Sequence, residues 1–410
     1  MVNYERFVLD NGLEVFVHED RATPMAVVNL LYKVGSRNEH PEKTGFAHLF
    51  EHLMFGGSAN IPEYDTPLQK VGGENNAFTS PDITNYYITL PSANLETAFW
   101  LESDRMMSLN FDPHVLEVQR KVVIEEFKQR YLNQPYGDVW LKLRPLAYDV
   151  HPYRWATIGK EISHIEHASM DDVQEFFYRW YRPNNAILVV AGDVQFDKVK
   201  ELAEKWFGPI PAGPNVDRQI PLDPPQIKAR VLEVKADVPL NAWYRVYKMP
   251  SRLNPDYHTT DLLSDILGRG KSTYLYQTLV KEKEYLNSFS AFITGSLDPG
   301  LLVLTGKLNE GVEFKQVEEI VDQYIEEVKQ GIDDNLVEKV KNQAEASMEF
   351  TEVDLLNRAM ALAVAAMMGN PELVNQEKAI IRKIGGDDIV RVAKEILRTE
   401  NSSTLYYVAE

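Results

Sequence analysis

Thr44-Gly45-Phe46-Ala47-His48-Leu49-Phe50-Glu51-His52-Leu53-Met54-Phe55 places two histidines four residues apart, with a carboxylate one residue before the second. The spacing predicts a helix with Thr44 as its N-cap and Gly56-Gly57 as its stop. On such a helix His48, Glu51 and His52 share one face. Leu49, Phe50, Leu53, Met54 and Phe55 make the rest of it apolar, so the polar face needs partners. Two neutral imidazoles at this spacing suit a catalytic Zn²⁺, which leaves room for a third protein ligand and a water. Glu51 then stands beside the metal as general base for water attacking a carbonyl. The reaction class implied is metal-assisted amide hydrolysis. The order is His-x-x-Glu-His.

The N-terminal side of the motif reads as sheet. Arg6–Leu9 and Leu13–Val17 flank Asp10-Asn11-Gly12, a tight hairpin signal, and a β-rich run follows from Met25 to Val34. On the C-terminal side, strand-like runs Val71–Thr79 and Thr84–Leu90 are joined through Ser80-Pro81-Asp82. They form an ordinary hairpin or an edge that holds a peptide by strand addition.

Helices are expected near 94–108 and 114–131. In the second, Glu125 and Glu126 are about 100° apart around the axis, so only one faces inward. Glu126 has Val122 and Val123 one turn before it, whereas Glu125 is flanked by Lys121 and Lys128. Glu126 is therefore the third zinc ligand, since a buried carboxylate needs a partner charge.

Farther on, Ser169–Tyr181 reads as an amphipathic helix with a Ser169/Asp172 capping box. Ala186–Gly192 is a buried strand, and a helix runs from Phe196 to Phe207. Six prolines between Pro209 and Pro225 mark a stiff linker. The expected division is a zinc-binding domain 1–208, a linker 209–226, and a domain 227–410 that repeats the element order. No second His-x-x-Glu-His occurs, so one zinc per chain is expected. Gly268-Arg269-Gly270-Lys271-Ser272 mimics the end of a phosphate loop, but Asp265 stands where its first glycine belongs. It reads as a glycine turn ending a helix.

The 410 residues exceed one ordinary core. A hydrophobic content of 44% with 25% charged residues describes a globular chain. The net charge of -18 argues against nucleic acid as a partner. No apolar run approaches a membrane span, so no membrane partner is expected. The lack of cysteine excludes thiolate zinc sites and disulfides. A cytoplasmic location is the expectation, with a trimmed export signal as the alternative.

These motifs resemble the pitrilysin family of zinc peptidases, which includes insulin-degrading enzyme and mitochondrial processing peptidase, and specifically its short two-domain members. The resemblance rests on Gly45–His52, Gly72-Gly73 with Asn76–Thr79, Val122–Glu126, His151-Pro152-Tyr153, and Tyr181 with Pro183–Ala186, and more weakly on Leu275-Tyr276-Gln277 and Leu279. It implies an α+β fold of two similar α/β-roll domains, each a mainly antiparallel sheet packed with helices, enclosing a chamber. It implies His48, His52 and Glu126 as zinc ligands and Glu51 as general base. Peptide substrates would add as a strand along Asn76, Ala77, Phe78 and Thr79. A carboxylate that the family carries seven residues before the third ligand is here Gln119. An Arg and a Tyr that hold the scissile carbonyl in self-sufficient members fall on Val280 and Asn287, which cannot replace them. The expectation is the metal-bearing subunit of a heterodimer with a homologous chain, or of a homodimer. The alternative is a non-catalytic scaffold subunit, which would be expected to have lost ligand residues.

Overall fold

A computed structural model describes residues 1–216 and 219–410. Asp217 and Arg218, within the proline-rich stretch read as a linker, lie outside the described residues.

The first sheet contains β1 (Glu5–Val8), β2 (Glu14–Glu19), β3 (Met25–Tyr32), β4 (Glu74–Thr79), β5 (Thr84–Pro91) and β6 (Ala186–Gly192). Their order is β1-β2-β6-β3-β5-β4. All neighbours are antiparallel except β2 and β6. The apolar run of β6 is buried along its whole length, as a strand flanked on both sides and covered on both faces must be. Among the described residues β4 is an edge strand, paired only with β5.

Two local expectations change. The Asp10-Asn11-Gly12 hairpin has a five-residue loop, Leu9–Leu13, closed by the Leu9 amide on the Leu13 carbonyl at 3.0 Å. Asn11 turns its side chain away to the carbonyls of Phe207 and Ile210 at 2.8 and 2.9 Å. The strand expected from Val71 begins only at Glu74. A helix, Asp65–Lys70, precedes it and is turned by Gly72 at φ +73°.

The second sheet contains β7 (Arg230–Ala236), β8 (Ala242–Lys248), β9 (Leu286–Ile293), β10 (Leu301–Leu308) and β11 (Ser402–Ala409), in the order β7-β11-β8-β10-β9. It is antiparallel except for β7 beside β11. The fold is α+β, two mainly antiparallel sheets packed with helices. Gly268 ends the Tyr257–Gly268 helix where a Cβ would lie 2.5 Å from the Ala291 amide nitrogen, and Gly270 turns the chain at φ +88°. Those glycines therefore serve helix-to-strand packing and a turn.

Each compact unit draws on both sides of the proline-rich stretch. The first comprises 1–129, 151–221 and 350–376, and the second 130–150, 222–349 and 377–410. In the first unit, Ala359, Leu362, Ala363 and Ala366 of the Leu355–Met367 helix pack with Phe16, Val27, Leu31 and Val189. Arg358 of that helix pairs with Asp20 at 2.6 Å. In the second unit, the Val139–Ala147 helix is tied to the sheet by Tyr407, which donates to Asp138 at 2.6 Å, and by Arg230, which donates to the Leu146 carbonyl at 3.0 Å. Among the described residues no helix is long and apolar enough to cross a membrane.

Candidate metal centre

The motif helix spans Phe46–Leu53 and buries Phe46, Ala47, Leu49, Phe50 and Leu53, leaving His48, Glu51 and His52 half-exposed on one face. Phe50 anchors the buried face, with ring centroids 5.0 Å from Phe176 and 5.2 Å from Tyr181. The N-terminus is not capped by Thr44 as expected. Gly45 holds the N-cap position at φ +88°, where a Cβ would also lie 2.6 Å from the Ile158 carbonyl oxygen. Thr44 instead accepts the Lys160 amide at 2.8 Å. The cap comes from Glu39, whose carboxyl oxygens accept the Gly45 and Ala47 amides at 2.9 and 2.8 Å. Burial pushes the Glu39 carboxyl up to about 8, against the downward pull of those amides.

A second helix, Pro113–Phe127, supplies the glutamate. Asp112 caps it by accepting the His114 amide at 2.7 Å, and Arg120 ties it down by donating to the Ile165 carbonyl at 3.0 Å. Its buried side is made by Leu116, Val123 and Phe127, while Val122 is exposed. Glu126 stands half-buried beside the motif helix, and Glu125 is exposed and pairs with Lys128 at 2.7 Å. The regular turns then give way to a π-helical turn over Lys128–Leu132.

The Nε2 atoms of His48 and His52 lie 3.6 and 3.4 Å from Glu126 Oε2, and donor atoms of the three residues all fall within 4.8 Å of one another. Ligand bonds of about 2.0–2.1 Å at tetrahedral angles place donors roughly 3.4 Å apart. The two histidine–Glu126 separations lie near that value, so the residues fit zinc. No thiolate competes and two imidazoles with one carboxylate is a catalytic zinc set.

Glu51 is held from the edge strand, where Thr79 donates its hydroxyl to Glu51 Oε2 at 2.6 Å. Along β4 exposure alternates, with Asn75, Ala77 and Thr79 half-buried and Glu74, Asn76 and Phe78 exposed. Asn76 Oδ1 accepts the Ala77 amide at 2.8 Å. Gln119 lies two turns before Glu126 on the same helix face and is half-buried. In the second unit, Val280 lies in a π-helical segment, Gln277–Glu282, against the apolar core, and Asn287 is exposed on edge strand β9.

Two supports were missed in the sequence. Glu39 lies too far upstream for a capping-box signal. Tyr153 donates to Asp82 in the β4–β5 turn, and Trp155 donates to the Ser36 carbonyl at 3.0 Å. The His151-Pro152-Tyr153 motif was visible, but its task of holding that turn was not. Beneath the hairpin, the buried Arg105 guanidinium lies 4.3 Å from the Tyr86 ring centroid and pairs with Glu102, which also accepts the Tyr64 hydroxyl at 2.8 Å.

Residues 14–142 match the family model for insulinase, peptidase family M16, and residues 167–344 match the M16 inactive domain. The chain is 32% identical to the zinc protease PqqE of Helicobacter pylori, over 98% of this chain and 92% of that protein. A probable mitochondrial-processing peptidase subunit beta of Schizosaccharomyces pombe is 28% identical over 72% of this chain and 67% of that protein. The crystal structure of a protease from Helicobacter pylori superposes with a TM-score of 0.92 at 30% identity, covering 99% of this chain and 100% of that one. The chain therefore belongs to peptidase family M16, the pitrilysin or insulinase family of zinc peptidases, as one of its short two-domain members.

Proposed function

We propose that this chain is a zinc-dependent metalloendopeptidase acting on unfolded peptides, and the metal-bearing subunit of an enzyme whose homologous partner supplies an Arg/Tyr pair. The observation that carries the reading is the convergence of His48, His52 and Glu126 donors within 4.8 Å, with Glu51 on the same helix face. Those three side chains would hold the zinc, which would supply a Lewis acid for the scissile carbonyl and for water. Glu51 takes the proton of the attacking water and passes it to the leaving amine. An extended peptide laid along β4 offers its backbone to the open edge, and an unfolded chain can do so along any part of its length, whereas a folded protein keeps most of its backbone paired within itself. Asn76 yields the Ala77 amide when the peptide arrives. Val280 has no donor, and Asn287 is shorter and neutral where relatives that act alone are expected to hold Arg and Tyr. A non-catalytic scaffold has no use for the four side chains assembled here.

The test is cleavage of a mixed library of unstructured peptides by the purified, zinc-loaded chain, alone and with a homologous partner, using Glu51→Gln as control. Cleavage that needs Glu51 and rises with the partner is the expected result. Cleavage by the chain alone that the partner does not raise removes the two-chain part of the reading. No cleavage in any combination, with zinc bound, overturns the enzyme reading.

A further inference from the structure

We propose that Thr79 is a positioning residue that sets the orientation of the general base, rather than a residue that binds the peptide; this rests on the reading of Glu51 as that base. The side chain of Thr79 is half-buried on the inward set of β4, and its single hydroxyl proton is donated to Glu51 Oε2 at 2.6 Å. A hydroxyl so engaged has no proton left for a substrate carbonyl.

The constraint runs from Thr79 to Glu51. Thr79 is β-branched and stiff at χ1, whereas a glutamate has three rotatable bonds. The backbone that carries Thr79 is itself held in place. Thr79 pairs with Thr84 across the hairpin, and the Ser80 amide closes the turn on the Ile83 carbonyl at 2.8 Å. The turn is pinned from outside by the Arg37 amide on the Pro81 carbonyl at 2.9 Å and by Tyr153 on Asp82. Of the two side chains, Glu51 therefore has the more orientations to choose among and Thr79 the fewer. Because Thr79 belongs to the edge strand on which a peptide would be added, occupation of that edge and the orientation of the base are joined through one residue.

The experiment compares Thr79→Val, which keeps the shape and removes the hydroxyl, with Thr79→Ser, which keeps the hydroxyl. The zinc-loaded chain is used, with its partner subunit supplied where turnover needs it. Thr79→Val is expected to lower kcat by about 10- to 100-fold with little change in KM, as misorientation of a general base does. Zinc content and thermal unfolding should stay at the wild-type level, and Thr79→Ser should recover most of kcat. A readout independent of turnover is the affinity of the Glu51→Gln protein for a fluorescent unstructured peptide, which Thr79→Val should leave unchanged. The proposal is overturned if Thr79→Val keeps full kcat, if Thr79→Ser is as slow as Thr79→Val, or if peptide affinity falls when Thr79 is changed. Turnover surviving in Glu51→Gln would instead overturn the reading of Glu51 as the base.

Discussion

The carboxyl group of Glu39 accepts the backbone amide of Ala47 at 2.8 Å, one residue before His48. A helix of only eight residues has little internal hydrogen bonding to hold its first turn, so an external acceptor reaching in from the preceding loop fixes where His48 begins. Burial raises Glu39 from its ordinary 4.5 to about 8. The folded chain therefore keeps a proton that the unfolded chain has released. Stability from this group is fully present below the unfolded value and is lost as pH rises through about 8.

The expected outcome is that the melting temperature of the wild type falls more steeply between pH 5 and pH 8 than that of Glu39→Gln, which has no proton to lose at this position. Glu39→Ala should destabilise at every pH by about 1–3 kcal/mol, because buried amides lose their acceptor. Calorimetry of the three proteins across that range is the check, and parallel curves for wild type and Glu39→Gln would count against the burial argument.

Zinc content separates the ligands from the base. Glu51→Gln should retain zinc while losing turnover, whereas His52→Ala and Glu126→Ala should lose the metal when dialysed against a weak chelator. Loss of one of three protein ligands opens the site, and Gln at position 51 removes only a proton acceptor. Elemental analysis after gel filtration reads this directly. Equal zinc in all three variants would remove the ligand assignment.

Much of this centre was legible because its information is local. The i, i+3, i+4 pattern of His48, Glu51 and His52 against an apolar background orients a helix without tertiary knowledge. Glu126 stood out from Glu125 through its immediate neighbours, although Val122, one of the two valines used for that reading, is exposed. What escaped is what depends on distant chain. Glu39 caps from outside the helix, and strand alternation shows that Thr79 faces inward without showing that Glu51 stands opposite. The Leu355–Met367 helix carries an alanine and leucine stripe that would suit either sheet. Only the packing of Ala359 and Leu362 with Phe16 and Val189 reveals that it belongs to the first unit.

Glu284 occupies the left-handed region at φ +53°, in the turn between the π-helical segment and β9. A side chain there costs about 1–2 kcal/mol that glycine avoids, against a smaller entropy cost in the unfolded chain. Glu284→Gly should therefore raise stability by about 0.5–1 kcal/mol, a rise of about 1–4 °C in melting temperature. Glu284→Ala keeps the Cβ and should give no gain. Equal melting temperatures for the glycine and alanine variants would show that the turn relaxes without strain.

Val280 and Asn287 allow the two-chain reading to be tested from within one chain. Asn287 is exposed on the edge strand β9, so a tyrosine there meets no packing barrier. Val280 is half-buried against the core of the second sheet, and an arginine at 280 must lay its stem on that core while its head reaches solvent, as long basic side chains do. If the missing donors limit turnover, Val280→Arg combined with Asn287→Tyr should raise peptide cleavage by the unpartnered chain by about 10²- to 10³-fold, the usual worth of an oxyanion donor. Either change alone should gain less if the proposed reading holds, since it has both donors serve one developing charge. The rise should vanish in the Glu51→Gln background, which ties it to the same centre. A double variant that melts like the wild type, binds zinc and cleaves no faster would show that these two positions are not what the isolated chain lacks.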